Sequence, residues 1–430
     1  MENMIPFNGR IAIVDDQIKE AMLLIRIFSK NNIPYTYYPG NDIKFLPEEP
    51  ENDIRILFLD LNLLEGRDYQ PRDIESTLYS VINRLISPNN FPYVIILWSK
   101  QEKEYKEMLE KLFHDSLSSR APIRIMNWIK SDFFPLGVED EVNKEDEDKI
   151  IIKLKEVLFS VPSYSHLILW ENCVHNSANT TLREIYKDFN SQDNWLVNAN
   201  CILDMFAHSY LERHYEDSSI ENRVKASLLF LNDVYYDTLE ANISNITIEG
   251  DNDLNYSAKK EKKEEIASLI NKSLLFSSKY ESLHQPGCVL LETNDEAQDI
   301  FLRLLDNSIL TLPSKINKEN LQKNIKPCKV IVTPACDYAQ NKNTYDRIVQ
   351  GVIIDAIYRQ YIDKSEAIYV SPIFKYQSTN SIMVLNFRYF VTADLGQMNT
   401  EPIFRLRNTI LAEIQSRLAR HINRQGIMNL

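Results

Sequence analysis

Between residues 10 and 159 short apolar strands alternate with stretches of helical periodicity, and this alternation limits the possible folds more than any other feature. The runs at 11–14, 35–38, 54–59, 93–98 and 123–128 read as strands. Ile-Leu-Phe-Leu and Val-Ile-Ile-Leu-Trp show no polar alternation, which suits parallel strands covered on both faces. Helices are expected at 18–31, 73–86, 102–116 and about 145–159, while Pro47 and Pro50 make the second crossover a poor helix. Such alternation places the region in the α/β class, with a doubly wound, parallel, five-stranded sheet.

Composition removes several functions. With only 9 glycines, no two close enough for GxGxxG or GxxxxGK, the chain is not expected to be a dinucleotide enzyme or a P-loop NTPase. A net charge of −13 opposes coating of nucleic acid, which rests on neutralising phosphates. The longest apolar run, 91–98, falls far short of the ~20 residues of a membrane span. No basic stretch leads into an apolar one with a small-residue cleavage site, so a cytoplasmic location is expected. Five scattered cysteines, none spaced as CxxC, oppose both a disulfide framework and a structural zinc site.

The pointed residues sit where strands end. Asp15 and Asp16 follow Ile-Ala-Ile-Val, Asp60 follows Ile-Leu-Phe-Leu, Ser99 follows Val-Ile-Ile-Leu-Trp, and Lys130 follows the fifth run. In an open α/β sheet the carboxyl ends of the strands hold the site. Carboxylates clustered there repel one another, so a cation or Lys130 is needed to keep them ionised together. As isolated residues, each aspartate is also a common strand-end turn residue.

The motifs IVDD (13–16), LDLNL (59–63), WS (98–99) and IK (129–130) make the chain resemble the receiver domain of two-component response regulators. The resemblance implies a flavodoxin-like sheet, a phosphoryl acceptor at Asp60 and a partner histidine kinase. It implies Mg²⁺ held by Asp15, Asp16, Asp60 and the backbone carbonyl of Asn62. It also implies that Ser99 contacts the phosphoryl group and that Lys130 neutralises one of its oxygens. Departures from the family pattern are Leu64 and Glu65 after Asn62, Lys100 after Ser99, Ser131 after Lys130, and Asn127 beside Trp128 at the aromatic position. The resemblance also allows a setting in bacterial stress or defence.

Three regions are expected: 1–160 receiver-like, 161–278 helical, and 279–430 an α+β output domain with a small bent sheet or SH3-like barrel. The helical region reads as a connector or dimerisation unit, which makes a homodimer a candidate state. In it Asp204, His208 and Glu212 share a helix face at metal-ligand spacing, although solvated polar residues explain the pattern equally well. The last region offers Cys336 and Asp337 after a strand, with His284 or His421 as partners for a cysteine nucleophile and Lys342 for a nuclease-like set. A closing helix is expected at 404–423, with Ile410, Leu411, Ile414, Leu418 and Ile422 as one apolar stripe. Arg405, Arg407, Arg417, Arg420 and Arg424 would form a local basic face, the one place where nucleic acid could bind. The function expected is thus a signalling protein phosphorylated on Asp60. Its alternatives are a receiver-gated nuclease or cysteine-dependent hydrolase, and a non-catalytic phosphoryl sink or scaffold.

Overall fold

A computed structural model describes residues 5, 10–61, 63, 71–99, 104–133, 144–187, 195–247, 260–279, 285–292, 325–339, 345–394 and 400–423. They fall into two compact units, Met1–Cys201 with Leu229–Leu254, and Ile202–Leu228 with Asn255–Leu430. The helical stretch 161–278 contributes to both.

Unit 1 begins β1 (Ile11–Asp15), α1 (Ile18–Lys30), β2 (Thr36–Pro39), β3 (Ile56–Leu59), α2 (Pro71–Leu85), β4 (Val94–Ser99), α3 (Glu104–Asp115), β5 (Arg124–Ile129), α4 (Lys144–Phe159) and α5 (Pro162–Tyr186). All five strands are parallel, in the order β2-β1-β3-β4-β5. The second crossover is a single helical turn, Ile43–Phe45, as the two prolines lead one to expect. Strand residues alternate between two buried faces. Ile11, Ile13, Phe58, Ile96, Trp98 and Trp128 pack with α1, α4 and α5. Ala12, Val14, Leu57, Leu59, Ile95 and Leu97 pack with α2 and α3. Double coverage is why the central strands β1, β3 and β4 contain no polar alternation. Because the chain leaves β1 toward β2 and returns to β3 on the other side, the order reverses at β1, and a crevice opens at the carboxyl ends there.

At the opposite, amino-terminal edge, α5 is clamped to the sheet. Arg10, before β1, and Arg55, before β3, converge on the Glu171 carboxylate; Arg55 Nη2 donates to Glu171 Oε1 at 2.8 Å and its Nε to Oε2 at 3.0 Å. Arg10 Nη2 donates to Asn172 Oδ1 at 2.7 Å, and the Tyr164 hydroxyl donates to the Arg55 carbonyl. Helix α5 thus belongs structurally with the sheet, although the sequence grouping starts a new region at 161.

The chain continues with α6 (Trp195–Leu211), α7 (Ile220–Ser244), α8 (Lys260–Leu275), β6 (Phe276–Ser277), β7 (Cys288–Glu292), β8 (Lys326–Ile331), α9 (Ala335–Ala339), β9 (Asp346–Asp355), β10 (Ile368–Val370), β11 (Phe374–Tyr376), β12 (Thr379–Ala393), β13 (Thr400–Leu406) and α10 (Asn408–Ile422). The strands form one curled antiparallel sheet of eight, ordered β10-β12-β9-β8-β7-β13-β6 with β11 on β12. It is larger than the small bent sheet or SH3-like barrel expected, and β9 and β13 each carry a residue that sequence rules count against a strand. In β9, Gly351 is needed because a Cβ there would stand 2.2 Å from the Val384 carbonyl oxygen of β12. In β13, Pro402 sits where the register with β7 shifts.

Helix α10 starts at Asn408 rather than 404, since Phe404 and Arg405 pair with Val289 and Cys288 of β7. Ile410, Leu411, Ile414 and Leu418 are buried on the sheet, while Ile422 is exposed and outside the stripe. The basic face also changes: Arg405 lies on β13, Arg407 caps the helix and donates to the Ser273 carbonyl, and Arg417 pairs with Glu413 over the Tyr369 ring. Arg424 lies outside the described residues.

Candidate functional site

The register of β1 with β3 builds the crevice. Val14 pairs with Leu59, so the next residues, Asp15 and Asp60, stand side by side at the sheet edge. Both are buried. Asp60 is fixed by its own backbone N–H, which donates to the Val14 carbonyl at 2.8 Å, and its Oδ1 accepts from the Leu61 N–H at 2.8 Å. Asp15 Oδ1 accepts from the Gln17 N–H at 2.9 Å, and its carbonyl accepts from the Tyr37 hydroxyl at 2.7 Å. Asp16 completes a group whose ligand atoms all lie within 4.8 Å of one another.

Lys130 enters from β5. It is buried, and its Nζ donates to Asp15 Oδ2 at 2.8 Å, Glu20 Oε2 at 2.8 Å and Asp60 Oδ2 at 3.1 Å. An ammonium has three N–H donors, and here each meets a different carboxylate. Four carboxylates against one ammonium leave the cluster short of positive charge. Burial, reinforced by Asp60, pushes Asp15 up to about 7 even though Lys130 pulls the other way. Asp16 is raised for the same first reason, burial, with Asp60 adding to it. Burial works against the Lys130 charge, but Asp60 and Asp15 outweigh it and its pKa is raised. Asp16 Oδ2 is buried without a hydrogen-bond partner. An all-oxygen donor set with an excess of negative charge and one unsatisfied oxygen fits a hard divalent cation such as Mg²⁺.

The structure therefore brings Asp15, Asp16, Asp60 and Lys130 together. Ser99 ends the adjacent strand β4, its backbone in register with Ile129, the residue before Lys130; its side chain is not described. Asn62 lies outside the described residues. Sequence reasoning missed Glu20, in the first turn of α1. Its signal is the four-residue step from Asp16, obscured because an acidic residue at a helix start is ordinary dipole chemistry. Trp128, beside Asn127, is buried against Phe58 and Phe133, with ring centroids 5.7 Å from each.

The other candidates assemble differently. Asp204 accepts from the Tyr215 hydroxyl and His208 stacks on the same ring at 4.7 Å, so both turn to Tyr215. Among the described residues, Asp15, Asp16 and Asp60 are the one group of three or more His, Cys, Asp or Glu placed to share an ion. Cys336 lies on α9 with its side chain not described, and His284 and Lys342 lie outside the described residues. Asp337 faces Arg347 at 3.4 Å, and His421 packs against Phe387. Burial pushes the Cys288 thiol up to about 11 and raises that of Cys328, which disfavours either thiolate. No described helix is long and apolar enough to cross a membrane.

No family model matches the chain, and the comparison with curated proteins returns no match.

Proposed function

We propose that unit 1 is a receiver-type module in which Asp60 accepts a phosphoryl group from a partner histidine kinase in the presence of Mg²⁺. The observation that carries this reading is the convergence of Asp15, Asp60 and Lys130, from three separate strands, at the carboxyl edge of one parallel sheet. The strand order 2-1-3-4-5 supports it, being that of flavodoxin-like folds with a site at this switch point.

In the reaction, an Asp60 carboxylate oxygen attacks the phosphorus of a phosphohistidine. A P–O bond forms as the P–N bond breaks, and the departing imidazole nitrogen takes a proton from solvent. A bound divalent cation would be held by Asp15, Asp16 and Asp60 and would supply positive charge against the phosphoryl oxygens. Lys130 donates a hydrogen bond to one phosphoryl oxygen, and Ser99 is assigned the hydroxyl that meets another. The test is incubation with Mg²⁺ and acetyl phosphate, read by intact mass. A hydroxylamine-labile phosphoryl adduct, lost in Asp60→Asn, is expected; an unmodified wild-type chain overturns the reading.

A further inference from the structure

We propose that Glu20 is a positioning residue that holds Lys130 when Asp60 is released for phosphoryl transfer, a role that rests on the reading just given. All three Lys130 donors are engaged, two at 2.8 Å and the third, to Asp60, at 3.1 Å. Asp60 Oδ1 already accepts from Leu61, so with Lys130 on Oδ2 both oxygens of the acceptor are hydrogen-bonded. A carboxylate in that state is a weakened nucleophile, and Lys130 has no donor left for a phosphoryl oxygen. One contact must open before transfer, and the Asp60 contact is both the longest and the one whose loss frees the attacking oxygen.

Glu20 determines what that opening costs. With Asp15 and Glu20 retained, the ammonium keeps two charged acceptors and its third N–H turns to the incoming phosphoryl oxygen. Without Glu20, Lys130 would have Asp15 and Asp60 alone, and leaving Asp60 would strand two donors in a buried site. Glu20 reaches the cluster from α1 rather than from a strand end, and it is 20% exposed where Asp15 is fully buried. It is the rim carboxylate of the set.

The experiment measures the rate of Asp60 phosphorylation by acetyl phosphate at saturating Mg²⁺ in the full chain. Wild type, Glu20→Ala, Glu20→Gln, Lys130→Met and the Glu20→Ala/Lys130→Met pair are compared, with magnesium affinity measured by calorimetry. Glu20→Ala is expected to slow the reaction about tenfold, the size of one charged hydrogen bond. Glu20→Gln, which keeps an acceptor oxygen without the charge, falls between. In the Lys130→Met background the Glu20 effect disappears, because it acts through the ammonium. A Glu20 effect that persists without Lys130, or a Glu20→Ala rate equal to wild type, overturns the role while leaving the receiver reading standing. A wild-type chain that binds Mg²⁺ but takes no phosphoryl group overturns the receiver reading, and this inference with it. A fold-only defect is recognised by circular dichroism and by loss of phosphorylation in Glu20→Gln equal to that in Glu20→Ala, which also counts against it.

Discussion

The carboxyl edge of the parallel sheet in unit 1 and the antiparallel sheet of unit 2 handle buried charge in opposite ways. In unit 1 one ammonium serves three carboxylates at a sheet edge. In unit 2 two buried ionic groups are matched by near neighbours. Lys329 of β8 meets Glu292 of β7, and Asp346 of β9 accepts from the hydroxyls of Thr333 and Tyr338. Topology accounts for the difference. A parallel sheet brings every strand's carboxyl end to one edge, so strand-end residues accumulate there. An antiparallel sheet sends successive ends to opposite edges, and Lys329 finds Glu292 across the ladder between β8 and β7. Surplus negative charge, rather than burial of charge as such, sets the carboxylate cluster apart from the pairs of unit 2.

The largest effect is expected at Lys329. Lys329→Met leaves Glu292 buried without its ammonium and should cost about 3–5 kcal/mol. All four tryptophans lie within Met1–Cys201, so fluorescence follows unit 1 alone and circular dichroism follows both. The loss should appear in the dichroism of a denaturant titration and leave the tryptophan transition where it was.

In unit 1 the same kind of substitution should have the opposite sign. Asp15 is raised from 3.8 to about 7, so between those values the folded chain binds more protons than the unfolded one. Stability without divalent cation therefore falls as pH rises through that window and levels off above it. Asp15→Asn removes the crowded charge while keeping an acceptor for Lys130. At pH 8 in chelator it should stabilise the tryptophan transition by roughly 2 kcal/mol, and its stability should vary less between pH 4 and 7. A mutant less stable than wild type at pH 8 would refute the surplus-charge account.

Adding Mg²⁺ should do part of the same work. At ten times its Kd it should raise unit 1 stability by about 1.4 kcal/mol and leave Asp60→Asn with a smaller gain. The smallest effect belongs to an exposed pair: Glu413→Gln, opposite Arg417, should shift unit 2 by less than about 0.5 kcal/mol in low salt.

How much of this was legible in the sequence also follows the contrast. Strand–helix alternation, with continuous apolar runs in β3 and β4, gives the parallel sheet away, and strand-end aspartates and a lysine give its candidate site. Glu20 stays hidden, because only the packing of α1 shows that it reaches Lys130. In the antiparallel sheet, β9 and β13 are masked by Gly351 and Pro402, residues that a backbone close approach and a register shift require and that sequence rules count against a strand. The apolar stripe of α10 is plain to read, yet its start is not, since Phe404 is equally apolar in a strand or a helix.

The arginine clamp on α5 bears on where this chain can be cut. A fragment ending at residue 160, the boundary that strand counting suggests, would discard Glu171 and Asn172 while keeping Arg10 and Arg55. Two guanidinium groups would then lose the carboxylate they share, beside the apolar floor that Tyr164 and Ile168 now cover. The smallest piece able to stand alone extends past Asn172, and a shorter one invites aggregation through its uncovered underside.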